Sequence, residues 1–134
     1  MKTVQARYYD KLPDRRVKCR LCPTECGIKP GKHGICTLRK NVDGELIAEA
    51  YGQLVSLTID PIEKKPLYHF YPSAGALSFG TIGCNFKCPY CQNWHISQNT
   101  NHPTEYIAPE EAVEIAVEKK INIISYTYSE PLIW

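Results

Sequence analysis

No run among the 134 residues is long and apolar enough to span a bilayer, and the chain does not begin with an apolar segment of the signal-peptide kind. The expectation is therefore a cytoplasmic protein, with no membrane partner and no secretory route. Charge of one sign is not in excess either. Sixteen basic side chains against 14 acidic ones leave a formal net charge of +2, and the basic residues form only short clusters such as Arg15-Arg16 and Lys64-Lys65. That gives no electrostatic case for nucleic acid. Internal repeats and low-complexity tracts are lacking too, and the length leaves room for one ordinary domain or two small modules.

Cysteine, by contrast, is plentiful. In a reducing interior, 7 cysteines point to metal binding rather than to disulfides, and they divide into four plus three. The three are Cys84, Cys88 and Cys91, spaced C-x3-C-x2-C, with no cysteine after them. Thiolates this close suit a soft metal centre. Three cannot close a four-thiolate zinc or iron–sulfur site. Either a distant residue supplies a fourth ligand, His95 or His102 for zinc, or one metal position stays open for something to bind.

The four are Cys19, Cys22, Cys26 and Cys36, among the turn-forming residues Pro23, Gly27, Pro30, Gly31 and Gly34. A segment so rich in turns has little core of its own, and a metal would be its staple. Structural zinc is slightly favoured over a second, electron-relaying iron–sulfur cluster. His33 lies inside this segment, as a surface turn residue or in place of a thiolate.

Along the chain, residues 1–16 read as a loose lead-in or short helix. Residues 46–51 and 54–59 read as two strands of a hairpin or meander. Residues 62–72, bounded by prolines, read as an extended linker with its aromatics packed down. Residues 76–83 form a strand leading into Cys84. After a long excursion, Pro109-Glu110-Glu111 starts a helix with Val113, Ala116 and Val117 as its apolar face. Residues 121–128 follow as a strand. Strand, loop, helix and strand make a βαβ unit of a parallel sheet, with Cys84 and Glu130 on one rim at the strand ends. The expected division is a Cys-rich module with a β hairpin and linker over 1–72, and an α/β part over 73–134.

The spacing of Cys84, Cys88 and Cys91, with Tyr90 directly before the last cysteine and this strand context, resembles the radical S-adenosylmethionine (SAM) superfamily. The resemblance implies a [4Fe–4S] cluster with these three cysteines on three irons, and SAM chelating the fourth. It also implies Tyr90 beside the adenine, although as a residue type Tyr90 equally suits the core. Tyr128-Ser129-Glu130-Pro131 falls where the family has a Gly-Gly-Glu-Pro-like segment that contacts the cofactor's amino group, with Tyr128 and Ser129 replacing the two glycines. Glu130 has the plainer alternative of a solvated loop acid, and Lys87 reads as a loop charge.

Cys19-Arg20-Leu21-Cys22-Pro23, the segment 29–36, Asp60-Pro61-Ile62-Glu63-Lys64-Lys65-Pro66-Leu67 and Cys91-Gln92-Asn93-Trp94 narrow the resemblance. Together they look like the radical enzymes related to pyruvate formate-lyase activating enzyme, specifically the AmmeMemoRadiSam-system radical enzyme. Such proteins continue well past position 134, so the chain is expected to be the start of a partial (β/α) barrel and inactive alone.

The resemblance implies reductive cleavage of SAM to a 5′-deoxyadenosyl radical that abstracts a hydrogen atom. It also implies an electron donor such as flavodoxin or ferredoxin, and a protein glycine as one possible substrate. A zinc-binding structural module and a ferredoxin-like electron carrier are the competing readings.

Overall fold

The computed structural model describes residues 4–99 and 101–134, and among them it places four short sheets and two α-helices in a mixed α/β arrangement. Strands β1 (Tyr9–Lys11), β2 (Val17–Cys19) and β3 (Gly27–Ile28) form an antiparallel sheet in that order. The lead-in is thus neither loose nor helical where it is described, and an antiparallel bridge from Gln5 to Ile47 ties it down further. In β2, Val17 and Cys19 point inward and Lys18 outward, the two-residue period of a half-buried strand. They pack with Ile28 and Leu46 as a small core.

Strands β4 (Arg39–Val42) and β5 (Glu45–Ala48) make a hairpin around Asp43-Gly44. This corrects the expected pairing of segments 46–51 and 54–59. The chain turns at 49–52, β6 (Gln53–Leu54) pairs with a distant strand, and β7 (Ser56–Pro61) joins another sheet. Periodicity identifies a strand but not its partner, and here the local turn at Asp43-Gly44 takes the hairpin.

The sheet that positions the site has the order β10-β8-β7. Strand β8 (Gly75–Gly80) is central and pairs antiparallel with β7, Leu57 opposite Phe79. It pairs parallel with β10 (Ile124–Tyr126), Leu77 opposite Ile124. From Ala76 to Gly80 every β8 residue is buried, as expected of a strand covered on both faces. Between β8 and β10 come α1 (Trp94–Ser97), β9 (Glu105–Tyr106), which is the partner of β6, and α2 (Pro109–Glu118). Pro109 opens α2, and the Glu111 carboxylate accepts from the Ala108 N–H at 3.4 Å.

The packed face of α2 differs from the expected one. Ala112, Ile115 and Ala116 meet Leu54, Leu77 and Phe79, while Val113 and Val117 are 53% and 71% exposed. The same apolar residues admit two helix faces one residue apart, and the contact with β8 selects between them. The segment after β7 also departs from expectation. It begins with a 3₁₀ turn, Ile62–Lys64, and Tyr68, Phe70 and Tyr71 are exposed rather than packed down.

Candidate functional site

The cysteine loop leaves β8 through two anchored residues. Thr81 is fully buried and its Oγ1 donates to the Gln53 carbonyl at 2.7 Å. Gly83 adopts φ +75°, and a Cβ there would lie 2.5 Å from the Cys36 carbonyl oxygen and 2.6 Å from Leu38 Cδ2. Only glycine fits such a left-handed residue pressed against a neighbouring backbone. The Gly83 N–H also donates to the Ile96 carbonyl at 2.9 Å, closing the loop on α1.

Cys84 is buried, Cys91 half-buried and Cys88 exposed. The Phe86 N–H points at Cys84 Sγ at 3.4 Å, and Ser97 Oγ lies 3.4 Å from Cys91 Sγ. Donors aimed at sulfur stabilise a thiolate and suit a metal-bound one. All three cysteines line one cavity of about 210 Å³, together with Phe86, Ser97, Gln98, Tyr128, Ser129 and Glu130. Its far wall follows β10, where Ser129 Oγ donates to the Thr81 carbonyl at 3.0 Å and a Glu130 oxygen accepts from the Leu132 N–H at 3.1 Å. Tyr90 does not line the cavity and is 86% exposed, so it is not a core residue.

Three of the four upstream cysteines lie near a buried cation. Cys19 ends β2, and its N–H donates to the Cys26 carbonyl at 2.9 Å. Cys36 packs with Leu38, Leu21 and Cys22. Arg39, only 7% exposed, lies near Cys36, Cys19 and Cys22. Its Nη1 donates to the Leu38 carbonyl at 3.2 Å. Burial pushes the Cys19 and Cys36 thiols up, while Arg39 pulls them down. Burial lowers the Arg39 guanidinium, and the cysteines oppose that shift. A desolvated guanidinium among thiols is costly unless some of them are anionic. His33 Nε2 lies 2.7 Å from a Glu49 oxygen.

Among the described residues, no three Cys, His, Asp or Glu side chains stand close enough to share one metal ion. The donor set at Cys84, Cys88 and Cys91 still fits an iron–sulfur cluster. Such a cluster takes one thiolate on each of three irons, a wider spread than the ~3.8 Å between thiolates on one zinc ion. Sequence reasoning missed Arg39, Ser97, Gln98 and the cavity-lining position of Tyr128. Arg39 carried no signal of its own, because Lys40 directly beside it is equally basic and almost as near the last cysteine of the group.

Over 132 residues, 97% of this chain, the sequence is 48% identical to an uncharacterized protein of Methanocaldococcus jannaschii. The chain spans 40% of that protein's length. No solved structure gives a significant match. Residues 79–134, which hold the cysteine loop, α2 and β10, match the family model of the radical SAM superfamily, and this match supports placing that part of the chain in the superfamily.

Proposed function

We propose that the protein is a radical SAM enzyme whose cluster is held by Cys84, Cys88 and Cys91 and whose SAM is seated by Ser129 and Glu130. One observation carries this reading: three thiols, a hydroxyl and a carboxylate from the ends of two parallel strands line a single cavity. When bound, a [4Fe–4S] cluster supplies the electron that splits SAM into methionine and a 5′-deoxyadenosyl radical able to take a hydrogen atom from a substrate. The chain's own residues do the positioning. The Phe86 N–H and Ser97 hydroxyl stabilise thiolates, and Glu130 offers a carboxylate to a ligand ammonium group. Tyr90 is the aromatic proposed to flank the adenine, which requires it to turn inward from its exposed position.

Residues 73–134 begin a partial (β/α) barrel, and residues 1–72 form a module in which Cys19, Cys22, Cys26 and Cys36 hold a second cluster, or zinc if their thiols, which do not stand close enough here to share one ion, draw together on loading. Arg39 supplies the counter-charge there, which favours an anionic thiolate centre. The electron donor is a flavodoxin or ferredoxin, and a protein glycine is one candidate substrate, as in activating enzymes; the finer family placement is the AmmeMemoRadiSam-system radical enzyme, related to pyruvate formate-lyase activating enzyme.

Anaerobic reconstitution with iron and sulfide, read by absorption and electron paramagnetic resonance, tests the central part. The full-length protein should form a cluster and turn over SAM, and Cys88→Ala in it should abolish cleavage. Normal SAM cleavage by Cys88→Ala sinks the assignment.

A further inference from the structure

Tyr128 is the residue whose conformation the cavity alone does not explain. It lines the cavity wall and adopts φ +75°, a region an aromatic side chain enters only when surrounding contacts hold it there. Those contacts come from elsewhere in the sequence. The ring edge abuts β8 at Gly80, where a Cβ would stand 2.6 Å from Tyr128 Cδ2 and 3.4 Å from Cε2. The hydroxyl donates to Asp60 Oδ2 at 3.0 Å. The Lys65 ammonium sits 5.4 Å from the ring centroid and 2.9 Å from the same Asp60 oxygen. Lys64 reaches the other Asp60 oxygen at 3.1 Å.

Asp60 is nearly buried at the end of β7, so its carboxylate is fixed rather than sampling solvent. The Lys65 hydrogen bond, followed by those from Lys64 and Tyr128, holds it well below the usual carboxylate range against the opposing effect of burial. Asp60 and Lys65 belong to the Asp60-Pro61-Ile62-Glu63-Lys64-Lys65-Pro66-Leu67 segment, to which the proposed chemistry gives no task. On the other side of Tyr128, the chain runs directly into Ser129, tied to Thr81, and Glu130. An extended Tyr128 would swing both away from the three cysteines.

We propose that Asp60 and Lys65 are positioning residues for the cofactor cavity: they anchor the Tyr128 ring, hold its left-handed turn, and so present Ser129 and Glu130 to an amino-acid ammonium group. This rests on the SAM reading of the cavity. Glycine at position 128 would adopt the turn freely but would not fix it. Tyr128 with its Asp60–Lys65 socket fixes the turn by tertiary contact.

The test uses the full-length protein, reconstituted, with Asp60→Asn, Tyr128→Phe, the pair together, and Tyr128→Gly as a variant free of backbone strain. Hydrogen exchange of residues 127–133 without SAM reads the anchor, and a SAM titration of the reduced cluster's resonance spectrum reads its consequence. Each single variant should speed exchange in that segment and weaken SAM about tenfold, as expected for a lost hydrogen bond to a charged group. The pair should be no worse than either alone, and iron content should stay at the wild-type level. Unchanged exchange in Asp60→Asn overturns the proposal. So does faster exchange with unaltered SAM affinity, or a pair whose losses multiply. A wild-type spectrum indifferent to SAM counts instead against the radical reading, and the exchange data then judge the anchor by themselves.

Discussion

Replacing Gly83 with alanine should damage the protein far more than one methyl group suggests. Two costs add at this position. The backbone sits at φ +75°, which costs an L-residue about 1–2 kcal/mol. The new Cβ would also meet the Cys36 carbonyl oxygen at 2.5 Å and Leu38 Cδ2 at 2.6 Å. Leu38 is fully buried and the carbonyl is backbone, so neither yields cheaply, and overpacking adds about 1–3 kcal/mol. The total is about 2–5 kcal/mol. Gly31→Ala is the control, because Gly31 has the same φ of +75° with nothing within 4 Å of where a Cβ would stand. It should lose only about 1–2 kcal/mol. Urea unfolding followed by circular dichroism measures both, with the midpoint shifting and the slope unchanged. Because Gly83 precedes Cys84, Gly83→Ala should also lower iron uptake on reconstitution. Two variants within about 0.5 kcal/mol of each other would refute the close packing of the upstream cysteine segment against the cysteine loop.

Arg39→Met should weaken metal retention by the four upstream cysteines by about tenfold or more, as removal of an outer-shell partner does. Competition with a chelator measures it, and the iron bound at Cys84, Cys88 and Cys91 should be unaffected. Asp60 makes an acid-sensitive contribution. Its folded value lies below the ordinary 3.8, so its stabilisation is complete above that pH and is lost progressively as the pH falls below it. Urea midpoints of wild type and Asp60→Asn should therefore differ at pH 7 and converge below pH 3.8, and a gap that widens in acid contradicts the depressed value. Ser97→Ala removes the hydroxyl 3.4 Å from Cys91 Sγ and should shift the cluster's reduction potential in voltammetry without lowering its iron content.

The parallel pairing of β8 with β10, and the helix between them, could be read from local signals. Pro109, Glu110 and Glu111 mark the helix start, and the Ile- and Tyr-rich run before Ser129 marks the strand. From that order alone, Cys84 and Glu130 fall at strand ends on one rim, and they do line one cavity. What could not be read depends on contacts between distant residues. The second strand of the expected hairpin is β7, which pairs with β8 instead, because alternation along a strand does not name its partner. Helix α2 turns Ala112 and Ile115 inward rather than Val113 and Val117, a rotation that only the surface of β8 decides. The Asp60–Tyr128 anchor joins residues 68 apart in sequence and carries no local pattern that announces it.

The most direct test of the central claim is the resonance spectrum of the anaerobically reconstituted, reduced protein recorded before and after SAM is added. The expected result is an iron–sulfur signal, lost in Cys84→Ala, Cys88→Ala and Cys91→Ala, that changes shape when SAM binds at the cavity shared with Ser129 and Glu130. A colourless protein that loads zinc in place of iron, or a cluster whose signal is the same with and without SAM, would contradict it.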